Sequence, residues 1–171
     1  DQETAEGVSP ENQAVLLELA RTTITSYVSG QPVPEPDLAR LPAELKESRS
    51  VFVTLRKNGA LRGCIGNLGR PDPLVLSVRD YAINAATRDP RFPPVKPDEL
   101  EDLHIEISVM TPMQEIASYK LVRLGTDGVV IRKNGHGAVY LPQVATETGW
   151  NLDQFMSSLC RKAGLPGDAY T

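Results

Sequence analysis

Leu61-Arg62-Gly63-Cys64-Ile65-Gly66 sets a thiol between two glycines, and in this 171-residue chain Cys64 is the side chain best suited by type to covalent chemistry. A cysteine on a glycine-flanked strand is approachable, and its thiolate is the nucleophilic form. Side chains alternate along a strand, so Arg62 and Cys64 are expected to share one face, about 7 Å apart, with Leu61, Gly63 and Ile65 on the other. At an effective dielectric of about 20, a cation at that range favours the thiolate by on the order of 2 kcal/mol before screening, while burial opposes it. The plain alternative is a small buried filler, since free cysteine is among the most buried residue types.

Further groups stand ready to serve such a thiol. Glu106 lies with His104 and Ser108 on the polar side of an alternating segment, where a carboxylate acts as general base or orients a substrate; a salt bridge to Arg62 or Arg91 is the competing role. His104 reads as an exposed residue. Arg88, Arg91, Arg62 and Arg70 could surround an anionic group with guanidinium forks, against the alternative that Arg91 pairs with Asp89 or Asp98. Phe92, beside Arg91, falls in a proline-rich loop of the kind that rims a cleft. Gly63 and Gly66 leave room for a ligand at the strand. Cys160 borders the apolar side of the last helix and reads as core. Two cysteines and two histidines show no metal-ligand spacing, and the glycine-rich stretches lack the lysine and hydroxyl of a phosphate loop. No metal, cofactor or nucleotide hydrolysis is called for.

The elements that must position these residues follow from periodicity and punctuation. Ser9-Pro10-Glu11 opens a helix whose apolar face is Leu16, Leu19, Ala20, Thr23, Ile24, Tyr27 and Val28, ending at Ser29-Gly30. A proline-rich connector and a short helical turn over 42–47 lead into a strand from Val51 to Lys57. Asn58-Gly59 then closes a type I′ hairpin, with the return strand over 60–65. Asp72-Pro73 reads as N-cap and first residue of a second helix, which ends near Arg88; four prolines keep 89–97 an extended loop. Leu103, Ile105, Ile107 and Val109 alternate with polar residues in a further strand. Asn134-Gly135 lies between strands in what reads as a β-meander, and Asn151 with Gln154 forms a capping box on the last helix, which finishes at Gly164.

Composition bounds the rest. The length suits one domain spanning 1–171, with residues 1–8 a frayed tail; 14 prolines and 13 glycines favour a mixed fold with sharp connections. The expected class is α+β, a two-lobed single domain with a mixed or antiparallel sheet and flanking helices. A net charge of −4 argues against nucleic acid or an anionic membrane as partner, and no apolar stretch approaches the roughly 20 residues of a membrane span. A cytoplasmic monomer is the default.

The Leu61–Gly66 hexapeptide resembles the hallmark of the AMMECR-type domain family, whose bacterial and archaeal members are called AmmeMemoRadiSam system protein A. The likeness continues through Asn84-Ala85-Ala86, Asp89-Pro90-Arg91-Phe92-Pro93, Ile105 to Pro112, Tyr140-Leu141-Pro142-Gln143-Val144 and Gly149-Trp150, nearly the whole chain. It implies a two-lobed α+β fold and association with Memo-like and radical S-adenosylmethionine proteins, with no settled reaction. Gly135-His136-Gly137 departs from the family pattern, so His136 is not expected to be a general family catalyst. The expectation is therefore a thiol-dependent enzyme or enzyme component acting through Cys64 and Glu106 on a small anionic substrate. The alternative is a non-catalytic module whose cleft receives a partner protein.

Overall fold

The computed structural model describes residues 8–67 and 72–171. Arg70 and residues 1–7 lie outside them, but Val8, the last residue of the expected tail, is buried in the core. The protein is an α+β fold that divides into two compact units at Met113/Gln114.

In the first unit, helix α1 (Pro10–Val28) starts where Ser9 accepts a hydrogen bond from the Asn12 N–H, and it buries Leu16, Ala20, Thr23 and Ile24. Tyr27, expected on that face, is exposed, whereas Val28 beside it packs against the core. Helix α2 (Ala43–Lys46) is a single turn whose Glu44 accepts hydrogen bonds from Ser9 and Asn12 and so ties the turn to the start of α1.

Strands β1 (Val51–Lys57) and β2 (Ala60–Asn67) form a hairpin in which Asn58 and Gly59 both take positive φ, 53° and 82°, as a type I′ turn demands. β3 (Leu103–Val109) pairs with the other side of β1, giving an antiparallel order β2-β1-β3. Helix α3 (Leu74–Thr87) connects β2 to the loop that leads back to β3. Its N-cap position is occupied by Pro73 with no side-chain cap, so Asp72 does not play the capping role its type suggested. Val51, Val53, Leu55 and Ile105 turn one sheet face into the core, against the buried residues of α1 and α3.

The second unit is built on a two-stranded antiparallel ribbon, β4 (Val129–Lys133) and β5 (His136–Tyr140), turned at Asn134-Gly135 with positive φ at both residues. It is a hairpin rather than a meander. Helix α4 (Gln143–Thr148), unforeseen in the sequence, follows Pro142 directly and stops at Gly149 with φ 71°. Helix α5 (Leu152–Lys162) carries the expected Asn151–Gln154 capping box and buries Phe155, Met156, Leu159 and Cys160. No helix among the described residues is long and apolar enough to cross a membrane.

Candidate functional site around Cys64

The hairpin register decides which way Cys64 faces. Counted outward from the turn, Lys57 pairs with Ala60 and Arg56 with Leu61, but Leu55 then pairs with Gly63 and Thr54 with Cys64. Arg62 is the extra residue of a β-bulge, opposite nothing. The bulge breaks the simple alternation: Leu61 joins Arg56 and Cys64 on the face away from the core, and Gly63 and Ile65 keep the core face.

β1 carries the pairing onward, since Thr54 is also opposite Glu106 on β3. Cys64, Thr54 and Glu106 therefore form one row across three strands on the non-core face, with neighbouring side chains roughly 5 Å apart at Cβ. The Thr54 hydroxyl and the Cys64 thiol share a hydrogen bond, Oγ1 to Sγ 3.2 Å. Thr54 is buried and Cys64 half-buried. Glu106 Oε1 accepts a hydrogen bond at 3.0 Å from Nε of Arg56, the cation next along the same face. His104 is exposed.

The cation expected beside the thiol is committed elsewhere. Arg62 places Nε 2.9 Å from Oε1 and Nη2 3.1 Å from Oε2 of Glu99, a two-point clamp onto the 3-10 turn Pro97–Asp102. Lys57 Nζ joins the same carboxylate at 3.1 Å. The Arg62 guanidinium beside Glu99 is the largest of the influences that hold that carboxyl at about 2, below its ordinary 4.5, in spite of burial. Arg62 Nη1 is buried without a partner among the described residues.

The loop after α3 supplies the contacts that Arg62 does not. β2 is an edge strand, and at Cys64 its outward backbone groups are both engaged. The Cys64 N–H donates to Asp89 Oδ2 at 3.0 Å, and Arg91 Nη2 reaches the Cys64 carbonyl at 3.4 Å. This blunts the edge at the thiol position. Asp89, only 3% exposed, also accepts from the Arg91 N–H at 3.1 Å, from Nε at 3.0 Å and from Nη2 at 2.7 Å. Hydrogen bonding to Arg91 is the chief reason its carboxyl sits at about 2 rather than 3.8; burial pushes the other way, and the Cys64 and Arg91 amides add to the lowering. Asp89 in turn is the main cause that raises Arg91, against the opposing effect of burial. The exposed Arg91 guanidinium stands 5.5 Å from the ring centre of Phe92.

Both glycines of the hexapeptide have packing reasons. A Cβ on Gly63 would lie 2.1 Å from the Ala85 carbonyl oxygen, so the absence of a side chain lets α3 press its backbone against β2. A Cβ on Gly66 would fall 2.3 Å from the Val51 carbonyl oxygen and 2.6 Å from Cδ2 of Phe52, whose position is directly opposite. The structure thus gathers Cys64, Arg91 and Phe92 at one edge and sets Glu106 two strands away in the same row, while Arg62 turns to Glu99. Arg88 is exposed and donates weakly to Asn84 at 3.4 Å. Sequence reasoning passed over Thr54 and gave Asp89 only a pairing role; the Asp-Pro-Arg spacing was the available signal for the second, and nothing local signalled the first.

A half-buried thiol on the polar face of a three-stranded antiparallel sheet, with a carboxylate–guanidinium loop on its edge, is the site this α+β fold presents. The chain belongs to the AMMECR1 family, which it matches over residues 17–171. It is 42% identical over 170 residues to a protein of Methanothermobacter thermautotrophicus strain Delta H, covering 95% of this chain and 88% of that one. It is likewise 42% identical over 165 residues to protein TK0174 of Thermococcus kodakarensis, covering 91% and 80%. The crystal structure of uncharacterized protein PH0010 from Pyrococcus horikoshii superimposes with a TM-score of 0.89 at 38% identity, covering 95% of this chain and 85% of that one.

Proposed function

We propose that the protein is a thiol-dependent enzyme or enzyme component in which Cys64 is the nucleophile or substrate-binding thiol. Glu106 takes up protons, Arg91 anchors a small anionic substrate, and Phe92 offers a flat apolar surface beside it. Gly63 and Gly66 contribute by letting Ala85 and Phe52 pack against the strand that carries the thiol. The observation that carries this reading is the double backbone grip on Cys64 by Asp89 and Arg91, combined with the hydrogen bond of its sulfur to Thr54. A mere filler needs neither. Arg62 enters as a positioning residue, since its clamp on Glu99 fixes the bulge that aims the thiol. Memo-like and radical S-adenosylmethionine proteins are the proposed partners.

The test is the pH dependence of Cys64 alkylation followed by mass spectrometry, with Cys160 as internal control. Modification of Cys64 much faster than that of Cys160, slowed by Arg91→Ala, is the expected result. An inert Cys64 in the folded protein would remove the nucleophile. A second reading, a partner-binding module without chemistry, is favoured by the internal pairing of Arg56 with Glu106, Arg62 with Glu99 and Arg91 with Asp89. It requires that Cys64→Ala leave partner capture intact and that Phe92→Ala abolish it.

A further inference from the structure

The exposed side of α5 has no part in the Cys64 site, and its side chains are arranged by chemistry along one stripe. Gln154, Ser157, Ser158 and Arg161 follow one another at helical spacing. With Trp150 and Tyr170 they border a shallow, open cleft of about 470 Å³.

At the C-terminal end of the stripe, Arg161 has no ion-pair partner among the described residues, yet it is not simply extended into water. A Cβ on Gly167 would come within 2.9 Å of its Nη2, 3.0 Å of its Nε and 2.7 Å of the Ser157 hydroxyl, so the guanidinium is seated against the bare Gly167 backbone beside Ser157. Gln154 uses its carbonyl oxygen to accept from the Asn151 N–H, which leaves its two amide N–H bonds for the cleft. These groups are donors. At the N-terminal end the chemistry reverses. The Tyr170 hydroxyl donates to Oδ1 of Asp153, leaving the second carboxylate oxygen as an acceptor in the cleft that Trp150 also lines. Asp153 and Arg161 are eight positions apart along the helix, about 12 Å on its axis.

We propose that this cleft binds a small molecule with an anionic group at one end and a planar, hydrogen-bond-donating ring at the other, the chemistry of a nucleoside monophosphate. The phosphate pairs with Arg161 and Ser157, the ring lies on Trp150, and its amino group donates to Asp153. The Asp153 carboxylate repels an anion from its own end and so fixes the orientation.

Trp150 is the single tryptophan of the chain, so its emission, excited beyond the absorption of the nucleotide, reports binding directly. Adenosine monophosphate is expected to change it saturably, with adenosine and inorganic phosphate each at least tenfold weaker. Arg161→Gln should weaken the nucleotide tenfold or more. So should Gly167→Ala, whose methyl group displaces the guanidinium, with the circular dichroism of both variants unchanged. The proposal is overturned by the absence of a saturable change up to about 1 mM nucleotide. It is equally overturned if adenosine or phosphate alone binds as tightly as the nucleotide, or if the well-folded Arg161→Gln variant retains full affinity.

Discussion

Replacing Asp89 with Asn probes the grip on the β2 edge most directly. Its carboxyl lies at about 2 in the folded chain against an ordinary 3.8. At 1.36 kcal/mol per pKa unit, this lowering corresponds to about 2.5 kcal/mol, trimmed toward about 2 kcal/mol because the Arg91 partner is half in water. The folded value is the lower one, so the contribution is complete above pH 4 and fades as the pH falls through the interval from 4 to 2. Asn keeps an oxygen that can accept the Cys64 N–H, but it turns an amide toward the Arg91 fork and cannot titrate. At pH 7 the variant should therefore lose about 2 to 3 kcal/mol in urea unfolding followed by circular dichroism. Between pH 4 and 2 its stability should fall less steeply than that of the parent. The remaining slope in that window belongs largely to Glu99, also held at about 2, so Asp89→Asn combined with Glu99→Gln should flatten it further. A pH 7 stability within about 0.5 kcal/mol of the parent, or an unchanged slope in acid, would refute the assignment of Asp89 as the anchor of this edge.

Glu99→Gln by itself should destabilise by about 3 kcal/mol in urea, because it leaves the largely buried Arg62 guanidinium without its counter-charge, and a loss below about 1 kcal/mol would contradict that. Gly63→Ala should lower the melting temperature by several degrees, since the new methyl would sit 2.1 Å from the Ala85 carbonyl oxygen and force α3 off the sheet; an unchanged melting curve would show that the helix has slack there. Cys160, fully buried and with its thiol pushed upward by that burial, should resist iodoacetamide at pH 8 until denaturant is added, and a native rate equal to that of Cys64 would show that α5 opens.

The architecture was largely legible because its signals are local. Ser9-Pro10, both Asn-Gly pairs and the Asn151–Gln154 box each act over four residues or fewer, and each marks the boundary it was expected to mark. β3 was readable in full, since Leu103, Ile105 and Ile107 meet a one-sided core. Helix α4 was hidden because its six residues hold only Val144 and Ala145 as apolar members, too few to show a period. The electrostatic pairings were less accessible. Arg56–Glu106 spans 50 residues and Arg62–Glu99 spans 37, and composition supplies several equally plausible acids for every arginine.

The bulge at Arg62 is where local reading and tertiary structure part company, and it bears directly on the thiol. An uninterrupted hairpin from Asn58-Gly59 would set Cys64 opposite Val53, on the buried face with Leu55 and Ile105, where cysteine is an ordinary apolar filler. One unpaired residue shifts the register, so that Cys64 stands opposite Thr54 and in line with Glu106 instead. The same shift brings Gly63 onto the core face, where α3 requires a residue without a side chain, and Gly66 opposite Phe52. The Arg62–Glu99 clamp engages the unpaired residue of this bulge and not the thiol. The register beyond the bulge turns the cysteine from the core to the opposite face, where Arg91 and Asp89 reach its backbone.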